Sequence, residues 1–326
     1  MPAFPIRRPA ALAAAVLCAV LATPALAQEA WPSRPITIIV PFGPGSGGDN
    51  GARLFAKHLS EATGQTVTVE NRPGANGAIG MQQAARARPD GYTLVIGSAT
   101  TNATNFAFNA AALPYTPASF DAVAGIGFSA VSLFAGPGLA ARSVADVAAA
   151  ARRDPGKVTC GSGNAVTQVA CEVLRRALGV DIVNVPYKSN PNSLNDLAGG
   201  QISIAFADAS VAQPYLARDA IRTIAVAARE RMATQPNVPT LAEQGVAGME
   251  ITAWTALLVP AGTPMPIQER LNALVRRSND HPESVAIREK TGSSAFTLDV
   301  AGTRRFVADE IARWARYVKE TGVKAE

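Results

Sequence analysis

Histidine is almost missing from this 326-residue chain: His58 and His281 are the only two. They are far apart in predicted helices and in no metal-ligand spacing, so neither a zinc motif nor a histidine-based triad can be read from them. Cysteine is equally scarce, with Cys18, Cys160 and Cys171, and neither of the last two has a histidine near it in sequence. No serine stands in a G-x-S-x-G elbow, because Ser46 has Pro44 two places before it and Ser162 has Cys160. Arginines are scattered or paired, as in Arg152-Arg153, Arg175-Arg176 and Arg276-Arg277. No aromatic-lined basic stripe joins them, which argues against nucleic acid as a partner. Long apolar runs are absent except at the start of the chain.

There, Arg7 and Arg8 precede an apolar run from Ala10 to Leu26, interrupted by Thr23 and Pro24, and Ala25-Leu26-Ala27 offers a small-residue cleavage site before Gln28. This is a secretory signal peptide over residues 1–27, cleaved near Ala27, and it predicts a periplasmic protein. The run is about the minimum length for a membrane helix, so an uncleaved anchor is the competing reading; Pro24 and the Ala-Leu-Ala tripeptide favour cleavage. The sequence leaves open whether export follows the Sec or the twin-arginine route. Cleavage removes two arginines, no acid and Cys18, so the formal charge falls from +5 to +3. The remaining chain of about 300 residues is long enough for two lobes with separate cores. Cys160 and Cys171 stay behind in a compartment that permits disulfides. They are either a staple across one short loop or two buried thiols, and geometry decides between these.

Short β-branched runs alternate with helical stretches. Strands are predicted at Ile36–Val40, Thr66–Val69 and Thr93–Ile96, with helices near Asp49–Ala62 and Gly77–Ala87, which is a βαβαβ unit with a parallel sheet. The same kind of unit returns with strands at Val158–Cys160, Ile182–Val185, Ile202–Phe206 and Ile221–Ala227 and helices near Gln168–Leu178 and Asn192–Ala198. Two further apolar strands, Asp121–Ala135 and Ile251–Val259, have no helix beside them, as expected of segments crossing between two lobes. Helices near Pro266–Ser278 and Thr303–Thr321 then belong with the first lobe, the last carrying an apolar stripe of Phe306, Ile311, Trp314 and Val318.

The loop Pro41-Phe42-Gly43-Pro44-Gly45-Ser46-Gly47-Gly48-Asp49 joins the first strand to a helix that Asp49 or Ser46 could cap. With so few side chains, bare amides at a helix N-terminus are open to an anion; the glycines alternatively serve only the turn. Gly43, Gly45 and Gly48 also match G-x-G-x-x-G, and Glu70 ends the next strand, so a dinucleotide-dependent oxidoreductase is the rival reading. Pro44 in the tight turn and the export signal weigh against it.

Ordered motifs cover nearly the whole mature chain: Trp31-Pro32-Ser33-Arg34-Pro35-Ile36, Val40-Pro41-Phe42 with its Gly-rich loop, Glu70-Asn71-Arg72-Pro73-Gly74-Ala75, Pro89-Asp90-Gly91-Tyr92-Thr93-Leu94, Leu113-Pro114-Tyr115, Val185-Pro186-Tyr187-Lys188, Asn237-Val238-Pro239-Thr240 and Pro260-Ala261-Gly262-Thr263-Pro264. The chain in this respect resembles the tripartite tricarboxylate transporter receptors, also called Bug or TctC proteins. The resemblance implies an α/β, type II periplasmic-binding-protein fold with two lobes, a ligand cleft and two crossing strands, the lobes being residues 28–126 plus 255–326 and residues 127–254. It implies a monomeric receptor, not an enzyme, that takes a small carboxylate (a di- or tricarboxylate, an aromatic acid or an amino acid) to membrane permease subunits, without cofactor or metal.

The expected site follows. In the first lobe, Phe42 walls the pocket, Gly45, Ser46 and Gly47 present amides beside Asp49, and Ser98, Thr100 and Thr101 occupy the family's second cleft loop. In the second lobe, Gly161–Gln168 corresponds to the family's other anion loop, which gives Ser162, Thr167 and Gln168. This loop is about two residues short of the family pattern, with Thr167-Gln168 where Ser-His is common. Tyr187 follows another strand end. In Phe206-Ala207-Asp208 the acid stands one place later than usual, so Asp208 either bonds a ligand ammonium or hydroxyl or caps the next helix.

Overall fold

The computed structural model describes residues 31–322; the leader and its cleavage site near Ala27 lie outside them. Strand β1 (Ile36–Val40) runs into helix α1 (Gly47–Thr63), then β2 (Val67–Asn71), α2 (Ala78–Ala85) and β3 (Thr93–Ser98). β1 pairs in parallel with both β2 and β3. β1 is buried nearly throughout, as Ile36, Ile38, Ile39 and Val40 require, because helices cover both faces of a parallel sheet. A π-helical turn at Thr100–Thr104 and helix α3 (Asn105–Asn109) follow.

The 16-residue strand β4 (Phe120–Ala135) joins the two halves. From Phe120 to Ala130 it pairs antiparallel with β9 (Thr252–Pro260), and from Val131 to Ala135 it pairs with β7 (Ile204–Asp208) and β8 (Arg222–Val226). β9 in turn lies against β3. The single sheet therefore has the order β2-β1-β3-β9-β4-β7-β5-β6, where β5 is Val158–Ser162 and β6 is Ile182–Pro186, with β8 also on β4. β4 pairs with strands of both halves, and β9 carries the chain back from the second half to the first.

The second lobe adds α4 (Val144–Arg153), β5 (Val158–Ser162), α5 (Ala165–Leu178), β6 (Ile182–Pro186), α6 (Asn190–Ala198) and α7 (Ala209–Leu216), with β5 parallel to both β6 and β7. The chain returns through β9 to α8 (Met265–Asn279), α9 (Pro282–Thr291) and α10 (Val300–Thr321). On α10, Phe306 packs edge-on against Trp254, Phe128 and Phe296. Glu310 accepts from the Trp254 indole at 2.8 Å and from Arg313 at 2.6 and 2.8 Å. The last helix thus fixes the indole of Trp254, which lines the cleft.

Candidate functional site

Strands β1, β3, β5, β6 and β7 all deliver their carboxyl ends to one interlobe cleft, where ligands of open α/β sheets bind. Its lining includes Phe42, Ser46, Gly47 and Gly48, then Ser98–Thr100, Gly163, Asn164 and Val166, Ser189 and Asn190, Asp208, and Ala253–Thr255.

The first loop is held from behind. Ser46 is the N-cap of α1, its hydroxyl accepting from the Asp49 N–H at 3.3 Å, while the Asp49 carboxylate reaches back to the Gly45 N–H at 2.9 Å. Asn71 and Arg53 donate to the same carboxylate at 2.8 and 3.0 Å. Burial works to raise the Asp49 pKa, but the bonds from Arg53, Gly45 and Asn71 outweigh it and hold the group below its usual range. Gly45 takes φ +77°, a left-handed conformation that glycine adopts without cost. Because the Ser46 N–H is bonded to the Gly43 carbonyl, the donors left over are those of Gly47 and Gly48 in the first turn of α1.

The second lobe repeats the device. Asn164 caps α5 in a reciprocal box: its side chain accepts from the Thr167 N–H at 3.0 Å, and Thr167 Oγ1 accepts from the N–H groups of Gly163 and Asn164 at 3.0 and 3.2 Å. The first-turn donors left here belong to Ala165 and Val166. Gly163 is required by close approach, since a Cβ there would stand 2.1 Å from the Asn190 nitrogen. A disulfide between Cys160 and Cys171, Cα atoms 6.0 Å apart, ties the end of β5 to α5 and brackets this loop, which resolves the choice the sequence left open.

Among the residues singled out from sequence, Phe42, Ser46, Gly47, Ser98, Thr100 and Asp208 line the cleft. Gly45 sits at the lobe seam, where a Cβ would be 3.6 Å from Pro191. Asp49, Thr101, Ser162 and Thr167 stand behind the wall: Thr101 bonds Ser98 and Asn102, and the Ser162 hydroxyl donates to Asn184 at 3.0 Å. Ala207 is buried within β7, Gln168 lies one residue past the capping box, and the Tyr187 hydroxyl donates to Asp196 at 2.8 Å. Sequence reasoning missed Ser189, Asn190 and Trp254. For Ser189-Asn190-Pro191 the available signal was a polar N-cap followed by proline in the first turn of a helix.

Two polar groups in the cleft are poorly satisfied. Asn190 Oδ1 is buried with no hydrogen-bond partner, which leaves an acceptor in want of a donor. Asp208, which makes no side-chain cap to α7, has its pKa pushed up to about 6 by burial, against a smaller opposing bond from Asn190. The folded pKa is raised, so Asp208 adds stability below about pH 4 that is lost as pH rises through 6. Asp208→Asn should accordingly stabilise the ligand-free protein by about 1 kcal/mol at pH 8, discounted for the partly wet cleft, and give no gain at pH 4. Calorimetric melts at the two pH values check this.

The lobes touch across the cleft. A Cβ on Gly43 would lie 3.3 Å from Ser189 Oγ, and one on Gly47 would lie 3.1 Å from Asp208 Oδ2. Only about 40 Å³ remains among the loops, while a larger cavity of about 200 Å³ adjoins it past Gly47, Asp208 and Trp254, walled by Phe55, Ile126, Phe128 and Ile287. The dinucleotide reading of Gly43, Gly45 and Gly48 fails here. Ser189 and Pro191 face the turn where a pyrophosphate would sit, and Glu70, expected to hold a ribose, is paired with Arg72 at 3.0 Å.

Residues 52–323 match the model of the tripartite tricarboxylate transporter family receptor. Protein BugT of Bordetella pertussis is 32% identical over 92% of this chain and 93% of its own. Two solved structures are similar in the same way. Rpa4515 of R. palustris with adipate has a TM-score of 0.86 and 32% identity over 90% of this chain and 99% of its own. MatC from Rhodopseudomonas palustris with bound malate has a TM-score of 0.83 and 30% identity over 88% of this chain and 100% of its own. With its two-lobe fold, the chain belongs to the tripartite tricarboxylate transporter receptor family, whose members are solute-binding proteins and not enzymes.

Proposed function

We propose that this protein is a monomeric periplasmic receptor, freed of its leader near Ala27, that closes two lobes on a small carboxylate and delivers it to the permease subunits of a tripartite transporter. The lobes are residues 28–126 plus 255–326 and residues 127–254, hinged where β4 and β9 pass between them. The observation that carries the reading is the pair of helix N-termini, at Gly47-Gly48 and Ala165-Val166, that reach one cleft from opposite lobes. Unpaired N–H groups and the positive ends of two helix dipoles suit an anion. Ser46, Ser98 and Thr100 add hydroxyls. Charge-assisted bonds contribute about 1.5 to 3 kcal/mol each, so several of them on loops already held in place reach the roughly 8 kcal/mol of micromolar binding.

Asp208 and Asn190 Oδ1 ask for a donor, so the solute carries a hydroxyl or ammonium near its carboxylate. The larger cavity beyond Gly47 gives room for a part-apolar body. Adipate and malate in the two neighbours are carboxylates of comparable size. Thermal melts of the mature protein against a panel of mono-, di- and tricarboxylates, aromatic acids and amino acids should show a rise of several degrees for a subset and none for NAD. A flat response to every acid, or a clear rise with NAD, would falsify the proposal.

A further inference from the structure

The chain's two histidines, unrelated along the sequence, are neighbours in space. Their ring centroids lie 4.2 Å apart, and one ligand atom from each, with a carboxylate oxygen of Glu283, all fall within 4.8 Å of one another. Sequence spacing does not register this meeting of distant helices, so the cluster is visible only in the fold. We propose that His58, His281 and Glu283 form a binding site for a divalent transition metal of the zinc type, on the first lobe and outside the cleft.

The local sequence builds the site. α8 ends at Asn279, and Pro282 in the first turn of α9 makes a sharp corner that places His281 as N-cap and Glu283 just inside the helix. His58 comes from the buried face of α1, next to Leu59 and Phe55. Two imidazoles and one carboxylate, with solvent in the remaining positions, are a ligand set that suits zinc. His58 Nδ1 is 2.8 Å from Ser278 Oγ, and His58 Nε2 faces Glu283 Oε2 at 3.3 Å. Ser278 can accept the Nδ1 proton, which orients the ring and turns the Nε2 lone pair toward the metal, the usual role of a group behind a metal-bound histidine. His281 has one weak hydrogen bond, from the Glu283 N–H to Nδ1 at 3.3 Å, which leaves its ring free to turn toward a metal. No thiolate competes among the described residues, since Cys160 and Cys171 are bonded to each other.

One cation already occupies the carboxylate. Lys57 Nζ lies 2.6 Å from Glu283 Oε2, with its side chain about half exposed, and Glu61 is the other acid that acts on it. A metal and the Lys57 ammonium compete for Glu283, and this gives the test its discriminating arm. Zinc titration of tag-free mature protein by calorimetry, with visible absorption of the cobalt form as a second readout, should show one saturable equivalent. His281→Ala and Glu283→Gln should each weaken uptake roughly tenfold or more. Lys57→Gln should strengthen it severalfold. His281 is exposed and its capping bond to the Glu283 N–H is long, so its variant should lose little stability, and its melt measures that loss separately from metal uptake. Absence of one-to-one uptake, uptake that survives both His281→Ala and Glu283→Gln, or weaker uptake by Lys57→Gln would each overturn the site.

Discussion

Replacing Gly47 with leucine should abolish the thermal shift produced by ligand and weaken binding by about 100-fold or more, while the ligand-free protein melts near the parent temperature. Gly47 is the first residue of α1, where leucine is a good helix former and costs the fold little. Across the seam, however, even a Cβ would stand 3.1 Å from Asp208 Oδ2 and 3.9 Å from Val211 Cγ2. A methyl group is tight there, and an isobutyl group has no room unless the lobes stay apart. Holding them open removes the second helix N-terminus from the ligand and lets water back among the donors of the first. Apparent affinity falls with the population of the closed state, so a hundredfold loss needs only about 2.7 kcal/mol against closure. Calorimetric titration with the best acid of the panel measures the loss, and small-angle scattering should show a more open particle. Unchanged affinity would place the ligand elsewhere.

How far the sequence foretold this site depends on what kind of contact makes it. The Gly-rich loop before α1 was legible because glycine and proline density between a strand and a helix has few meanings. Thr167 was read as a ligand hydroxyl, but the spacing Asn164-x-x-Thr167 is a capping box, and that geometry turns the hydroxyl back onto its own loop. Asn190 escaped notice because its importance comes from the approach of the loop after β6 to Gly163, a contact between loops that no local pattern shows. Trp254 was visible as part of a crossing strand; its place in the cleft wall follows from the register of β9 against β4, where it opposes Phe128. The same limits apply to elements. Strands with strong β-branched runs were found within a residue or two, whereas α4 was missed although Ser143 and Asp146 form a capping box and Val144, Val147, Ala148 and Ala151 form a buried face, because small alanines make that face hard to tell from a polar stretch. α7 was missed because Pro214 lies inside it.

Removing the Cys160–Cys171 disulfide by paired substitution with alanine should lower the melting temperature by roughly 5 °C and weaken ligand binding as well. The bond closes a loop of sequence separation 11, for which the chain-entropy account gives about 3 kcal/mol; a chain of this size shifts by roughly 2 °C or slightly less per kcal/mol. Both cysteines are fully buried, so reductant acts slowly on the folded protein, and the paired variant is the cleaner comparison. The effect on binding has a separate origin. Inside the bracket lie Gly163, Asn164 and Val166, which form the wall of the second lobe. Gly163 must seat against Asn190 where not even a methyl group fits, and in the proposed complex the Val166 N–H is one of the donors to the solute. Without the bond, the loop samples more conformations and has to be ordered when the solute arrives, which subtracts from the net affinity. Equal melting of the two proteins would show the bond to be thermodynamically idle. A lower melting temperature with unchanged affinity would show that the capping box of Asn164 and Thr167 suffices to hold the loop.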